Sequence, residues 1–140
     1  MSTAKNYDAF LGNLYDRIRP NTSYQVEVEI IPGDSRTGEI MDCERRVLIY
    51  ENRKKIEELV QFPLTFDSEK DIEDDKKDTK EYFFIRLQDY LTLRSQKLGV
   101  KNSIVIRTDD CFEIKGELYS GKYTPRKDLA ARFRELAESL

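Results

Sequence analysis

The chain is 140 residues long, carries a net charge of −3 and contains no histidine. The usual proton shuttle near neutral pH is therefore missing, together with the commonest metal ligand, so any chemistry has to run on carboxylates, lysines, tyrosines or a lone thiol. With 39% apolar residues, seven Phe and eight Tyr, the length suits one domain, 1–140, that can bury a core without staples.

The first predicted helix covers Ala4 to Arg19. Tyr7, Phe10, Leu11, Leu14 and Ile18 recur at helical spacing and form one apolar stripe. Thr3 is placed to cap it, and Pro20 ends it because proline cannot continue a helix. Tyr24 to Ile31 alternates as a half-buried strand requires. Tyr24, Val26, Val28 and Ile30 share one side; Gln25, Glu27 and Glu29 share the other. Pro32-Gly33-Asp34-Ser35 is a turn cluster. Thr37 to Asp42 reads as a weak strand and Arg46 to Tyr50 as a third. Asn52 to Gln61 reads as helix, with Ile56, Leu59 and Val60 inward. A single helix from Glu44 to Phe62 is the rival reading, and Pro63 marks the break after it.

Asp67 to Glu81 holds eight acids against four lysines, and Ile72 is the one apolar residue before Glu81. That composition predicts a mobile acidic insertion at about 67–80. The rest of the chain is close to neutral, which is not the basic footprint of a dedicated nucleic-acid binder. A helix is expected over Thr79 to Leu98, with Phe83, Leu87, Tyr90, Leu91 and Leu98 as its stripe and Gly99 just past its end. Ser103 to Thr108 and Cys111 to Tyr119 read as a hairpin around Asp109-Asp110. In its second strand Phe112, Ile114 and Leu118 share one face, and Glu113, Lys115 and Glu117 the other. A last helix opens with Thr124 as cap and Pro125 at the first position. The sum is an α+β fold: an antiparallel sheet of about five strands with helices packed mainly on one face.

Cys43 and Cys111 form no CxxC pair and are too few for a disulfide framework, so they read as reduced thiols in a cytoplasmic setting. The opening residues have no apolar signal region, and no apolar run approaches membrane-spanning length.

Four patterns carry candidate chemistry. Glu27 and Glu29, two apart on a strand, point the same way and present a carboxylate pair of the kind that holds Mg²⁺ or Mn²⁺ in triphosphatases; a solvated sheet face gives the same pattern. Asp109-Asp110 followed by Glu113-Ile114-Lys115 carries the acid-x-lysine skeleton of metal-dependent nucleases, but its Asp sits in a turn rather than on a neighbouring strand. If the two strands are adjacent, Glu27, Glu29, Glu113 and Glu117 surround Lys115 as an acidic platform, to which Asp71, Asp74 and Asp75 of the insertion add charge. Lys122, Arg126, Lys127, Arg132 and Arg134, with Tyr119 and Tyr123 nearby, suit single-stranded nucleic acid, as does the cluster Arg45, Arg46, Arg53, Lys54 and Lys55; interspersed acids break both sets.

In element order, α-β-β-β-α-β-β-α, the chain resembles class I type III secretion chaperones. That resemblance implies a dimer that binds an extended segment of a partner through apolar patches. The acidic insertion and the helix after Tyr50 depart from it. The reading that follows is a non-enzymatic intracellular protein-interaction module, adaptor, inhibitor or chaperone-like, using an exposed sheet face and an acidic loop. No cofactor or metal is called for, and a homodimer stays open. The alternatives are a nucleic-acid-associated factor on the basic clusters and a metal-dependent phosphodiesterase or triphosphatase on the strand carboxylates.

Overall fold

The computed structural model describes residues 2–36 and 38–118. Strand β1 (Ser2–Ala4) precedes helix α1 (Tyr7–Tyr15). Then come β2 (Tyr24–Ile31), the two-residue β3 (Ser35–Arg36), β4 (Glu39–Glu51), β5 (Lys54–Phe66), helix α2 (Glu69–Leu98) and the hairpin β6 (Ile104–Thr108) and β7 (Cys111–Lys115). The fold is α+β. The sheet runs β1-β5-β4-β2-β7-β6, with β3 pairing off the path onto β4. It is mostly antiparallel; β1 and β5 are its parallel pair. The helix expected from Thr124 lies outside the described residues, as do Lys122, Arg126, Lys127, Arg132 and Arg134.

Strand β2 forms over the residues its alternation predicts, with every second side chain buried. Its inward side chains Tyr24, Val26 and Val28 join Val47 and Ile49 of β4, Leu59 of β5 and Phe112 and Ile114 of β7. Phe10, Leu11 and Leu14 of α1 and Phe83, Phe84, Leu87 and Leu91 of α2 complete the same core. The aromatic rings of Phe83, Phe84 and Phe112 meet edge-on or tilted at centroid distances of 5.3–5.7 Å, a geometry worth more than its buried area alone.

Three expectations are corrected. First, α1 begins later than Ala4 and ends before Arg19. The Asn6 side chain, not Thr3, accepts from the Ala9 N–H and caps the helix. Thr3 is instead in β1, where its hydroxyl donates to Glu58 at 3.0 Å.

Second, Asn52 to Gln61 is not helical. Asn52 and Arg53 both take positive φ, 49° and 66°, and turn β4 back on itself as β5 in a two-residue hairpin. The helical spacing of Ile56, Leu59 and Val60 misleads because strand alternation here includes charges. Glu57 points inward and is fully buried, with Arg17 on its carboxylate at 2.6 Å. Glu58 points outward and takes Lys55 at 2.9 Å. Pro63 does not end the element either. It sits where one residue of β4, Glu44, faces two of β5, Phe62 and Pro63, between the pairs Cys43–Leu64 and Arg45–Gln61, and a bulge tolerates its missing N–H.

Third, the acidic insertion is helix from Glu69 onward, the first twelve residues of α2. Ser68 caps it by accepting from the Asp71 N–H at 3.3 Å. Ile72 packs with Ile30 and Cys43, and Thr79 is buried. Asp75 binds Arg45 through both carboxylate oxygens, at 2.9 and 2.6 Å. An acid-rich run is ordered here because one acid in it has a cation waiting on β4.

Candidate functional site

The sheet face opposite this core is built by the outward residues of each strand. The register places Glu27 across from Leu48 and Glu29 across from Arg46, with Gln25 across from Tyr50. Over β4 and β5 that face is tied up in pairs. Arg46 holds Glu44 at 2.8 Å. Lys55 and Thr3 both reach Glu58, and the Lys55 bond is the main cause that holds its carboxyl below the usual range. Burial, then the Glu27 and Glu29 charges, push the Tyr50 phenol upward.

Over β2, β7 and β6 the face is open. Glu27, Glu29, Cys111 and Lys115 are exposed. So are Ile104 and Ile106 of the edge strand, at 51% and 43%. A shallow depression of about 220 Å³ lies there, lined by Ser23, Ile106, Thr108, Cys111, Phe112 and Glu113. Cys111 and the buried Cys43 are both free thiols.

Strands β2 and β7 are neighbours, yet the carboxylates they carry are not brought together. The ladder is two pairs long, Tyr24–Phe112 and Gln25–Cys111. Its antiparallel register sends Glu27 toward the Asp109-Asp110 turn, where the Val26 N–H donates to the Asp110 carbonyl at 2.8 Å, and sends Glu113 and Lys115 the other way. Lys115 is held by Asn21 at 3.0 Å and by Glu113 at 3.4 Å. Glu117 lies past the end of β7, and its carbonyl accepts from Ser103 at 2.7 Å. The acidic platform is therefore two separated ends of one face. Among the described residues no three acids or thiols stand close enough to share a metal ion.

The basic cluster at residues 45 to 55 is likewise divided. Arg45 points inward, bound to Asp75 and, at 2.7 Å, to Gln61. Arg46 and Lys55 are paired on the outer face, and Arg53 and Lys54 are exposed at the hairpin end. Of the acids singled out in the insertion, Asp75 is structural, whereas Asp71 and Asp74 are exposed.

On the core side, the β6–β7 hairpin is clamped to α2. Lys80 holds Asp110 at 2.6 Å and Arg107 holds Glu81 at 2.7 Å, with the Arg107 guanidinium 4.3 Å from the Phe84 ring centre. Both pairs line a polar groove of about 480 Å³ that also takes in Glu27, Lys76 and Lys77. Gln88 works on the edge of β6. Its amide donates to the Ser103 carbonyl at 3.0 Å and accepts from the Val105 N–H at 2.8 Å, as a residue of a further strand would, so helix α2 covers part of an edge that would otherwise be open. The outward isoleucines 104 and 106 are at positions their alternation marks once the hairpin is read; their exposure is what the sequence did not disclose.

Comparison with known proteins returns no match: no family model, no curated protein and no solved structure is similar to this chain. Among the described residues no helix is long and apolar enough to cross a membrane.

Proposed function

We propose that this chain is a protein-interaction module that seats a partner on the β7–β6 end of its outer sheet face. The observation that carries the reading is the pair Ile104 and Ile106, both largely exposed on an edge strand beside the open thiol of Cys111. Exposed apolar residues gathered at one rim mark contact surfaces more often than isolated ones do. Glu113 and Lys115 frame them as a polar border, the arrangement of an apolar centre with a charged rim. Over the described residues the element order, once β5 replaces the expected helix, runs helix, three long strands, helix, hairpin. Leaving aside β1 and the two-residue β3, that agrees with the first seven elements of the order on which the resemblance to class I type III secretion chaperones rests; its final helix lies outside the described residues.

The nucleic-acid reading has less behind it, because Arg45, Arg46 and Lys55 are split between opposite sheet faces and matched with acids, which leaves Arg53 and Lys54 at the turn. The metal-dependent reading has less again, because Glu27 and Glu29 diverge from Glu113.

A photo-crosslinking residue at position 106, in the cells that make the protein, tests the proposal. The expected result is a discrete protein adduct that survives nuclease treatment and disappears when Ile104→Asp is added. Adducts that vanish with nuclease, or none at all from a folded protein, overturn it.

A further inference from the structure

We infer that the solvent-facing stripe of helix α2 docks a basic amphipathic helix of a partner protein. This surface is separate from the sheet face and does not depend on it.

The stripe is set by spacing. Asp71, Asp74, Asp78, Tyr82, Ile85, Asp89, Leu93 and Gln96 follow one another at intervals of three or four and are all exposed. Asp71, Tyr82 and Leu93 repeat at a period of about eleven residues, which keeps such a line nearly parallel to the helix axis. At about 1.5 Å per residue, Asp71 to Leu93 spans roughly 33 Å. The core-facing residues, Ile72, Thr79, Phe83, Leu87 and Leu91, are on the other side.

Two properties set this line apart from an ordinary wet face. Ile85 and Leu93 are each 59% exposed and Tyr82 is 46% exposed, so three of the five C-terminal stripe positions are apolar or aromatic where solvation alone calls for polar residues. Its charge is also of one sign. Helix α2 carries seven basic residues, and none occupies a stripe position. Arg86, the cation alongside, is turned onto Tyr82 and Asp8. Asp75 is satisfied by Arg45, but among the described residues the side chains of Asp71, Asp74, Asp78 and Asp89 have no hydrogen-bond or ion-pair partner.

Charge complementarity names the occupant. A second copy of this stripe brings acids and apolar residues in either direction but no cation, so it leaves the four aspartates unmatched. A helix with a leucine-type stripe flanked by lysines or arginines covers Ile85 and Leu93 and places positive charge on the aspartates, the helix-on-helix mode of recognition.

The probe is a synthetic leucine–lysine peptide patterned as an amphipathic helix, with a scrambled peptide of the same composition as control. Titration calorimetry at physiological salt should show binding to the patterned peptide only. Asp71→Asn, Asp74→Asn and Asp78→Asn together should weaken it about tenfold or more, as should Ile85→Ser with Leu93→Ser. Glu27→Gln with Glu29→Gln on the sheet face should change it less than about twofold. All of these positions are exposed, and circular dichroism with a melting curve confirms that each variant is folded. Equal binding of the scrambled peptide overturns the inference, because attraction to net charge is then sufficient. So does an equal loss from the sheet-face variants, or no loss from the stripe variants. A concentration-dependent dimer in sedimentation that Leu93→Ser dissolves would also overturn it, by assigning the stripe to a second copy.

Discussion

The two ends of helix α2 are held in place by different forces. From Phe83 to Leu98 the helix buries Phe83, Phe84, Leu87, Leu91 and Leu98, a surface whose value comes from removing apolar area from water. From Glu69 to Lys80 it buries only Ile72 and Thr79, and a bidentate ion pair between Asp75 and Arg45 does the anchoring. The Asp75 and Arg45 side chains are 20% and 18% exposed. A largely desolvated pair of that kind has little net value over a hydrophobic substitute, yet breaking it is costly because the surviving charge stays buried. One continuous helix thus combines an apolar segment that belongs to the core with a segment held mainly by ion pairs, Asp75 on Arg45 within it and Lys80 on Asp110 at its end.

The largest expected effect comes from the apolar end. Phe83 is fully buried and touches the rings of Phe10, Phe84 and Phe112 at centroid distances of 5.3–5.8 Å. Phe83→Ala should cost about 3–5 kcal/mol, and denaturant unfolding should show the loss as one cooperative transition. Asp75→Asn should cost about 3 kcal/mol, at the lower end for a broken pair because Gln61 still holds Arg45. Its signature differs. Hydrogen exchange should speed up over Glu69 to Asp78 and stay slow over Phe83 to Leu98, because the first segment loses its anchor while the second keeps its buried apolar contacts. Uniform loss of protection along the helix would show that the ends are not distinct. Ser68→Ala removes the N-cap and should cost about 1 kcal/mol, with faster exchange confined to the first turn of α2.

The same contrast explains what was legible in the sequence. Strand β2 is read to the residue because its alternation is complete and both neighbours respect it. The Phe83-to-Leu98 stripe is read for the same reason. The acidic segment is not, because composition there points to solvent while the anchor, Arg45, is thirty residues away in sequence. A local signal did exist. Ser68-Glu69-Lys70-Asp71 has the spacing of a capping box, and Ile72, Asp75, Thr79 and Phe83 follow at helical intervals, with an acid standing in one inward position. The misreading of β5 has the same root. Glu57 faces inward onto Arg17, a partner only the tertiary structure supplies. At the candidate site, the outward direction of Glu27, Glu29, Glu113 and Lys115 was legible from alternation. Their separation was not, because the two-pair overlap of β2 and β7 is a matter of register.

The smallest effect concerns Glu81, six residues along the same helix and also bound to an arginine. Arg107 donates to it at 2.7 Å, and that bond is the main cause holding the carboxyl below its usual value of 4.5. A carboxyl lowered in the folded state contributes stability that is present above its unfolded value and is lost as pH falls through its folded value. Glu81→Gln should therefore lower Tm slightly at neutral pH, and the gap to the parent should close on acidification below about pH 4.5. The Glu81 side chain is 52% exposed, so high salt should close the same gap at neutral pH. Arg107 keeps its place over the Phe84 ring in either case, so the hairpin should stay docked. The loss from Asp75→Asn, by contrast, should persist in salt, because the charge left behind is Arg45 beneath α2, less exposed than Arg107. If the two substitutions prove equal in size and equally sensitive to salt, burial does not set the worth of these pairs, and the division of α2 into two differently anchored ends fails.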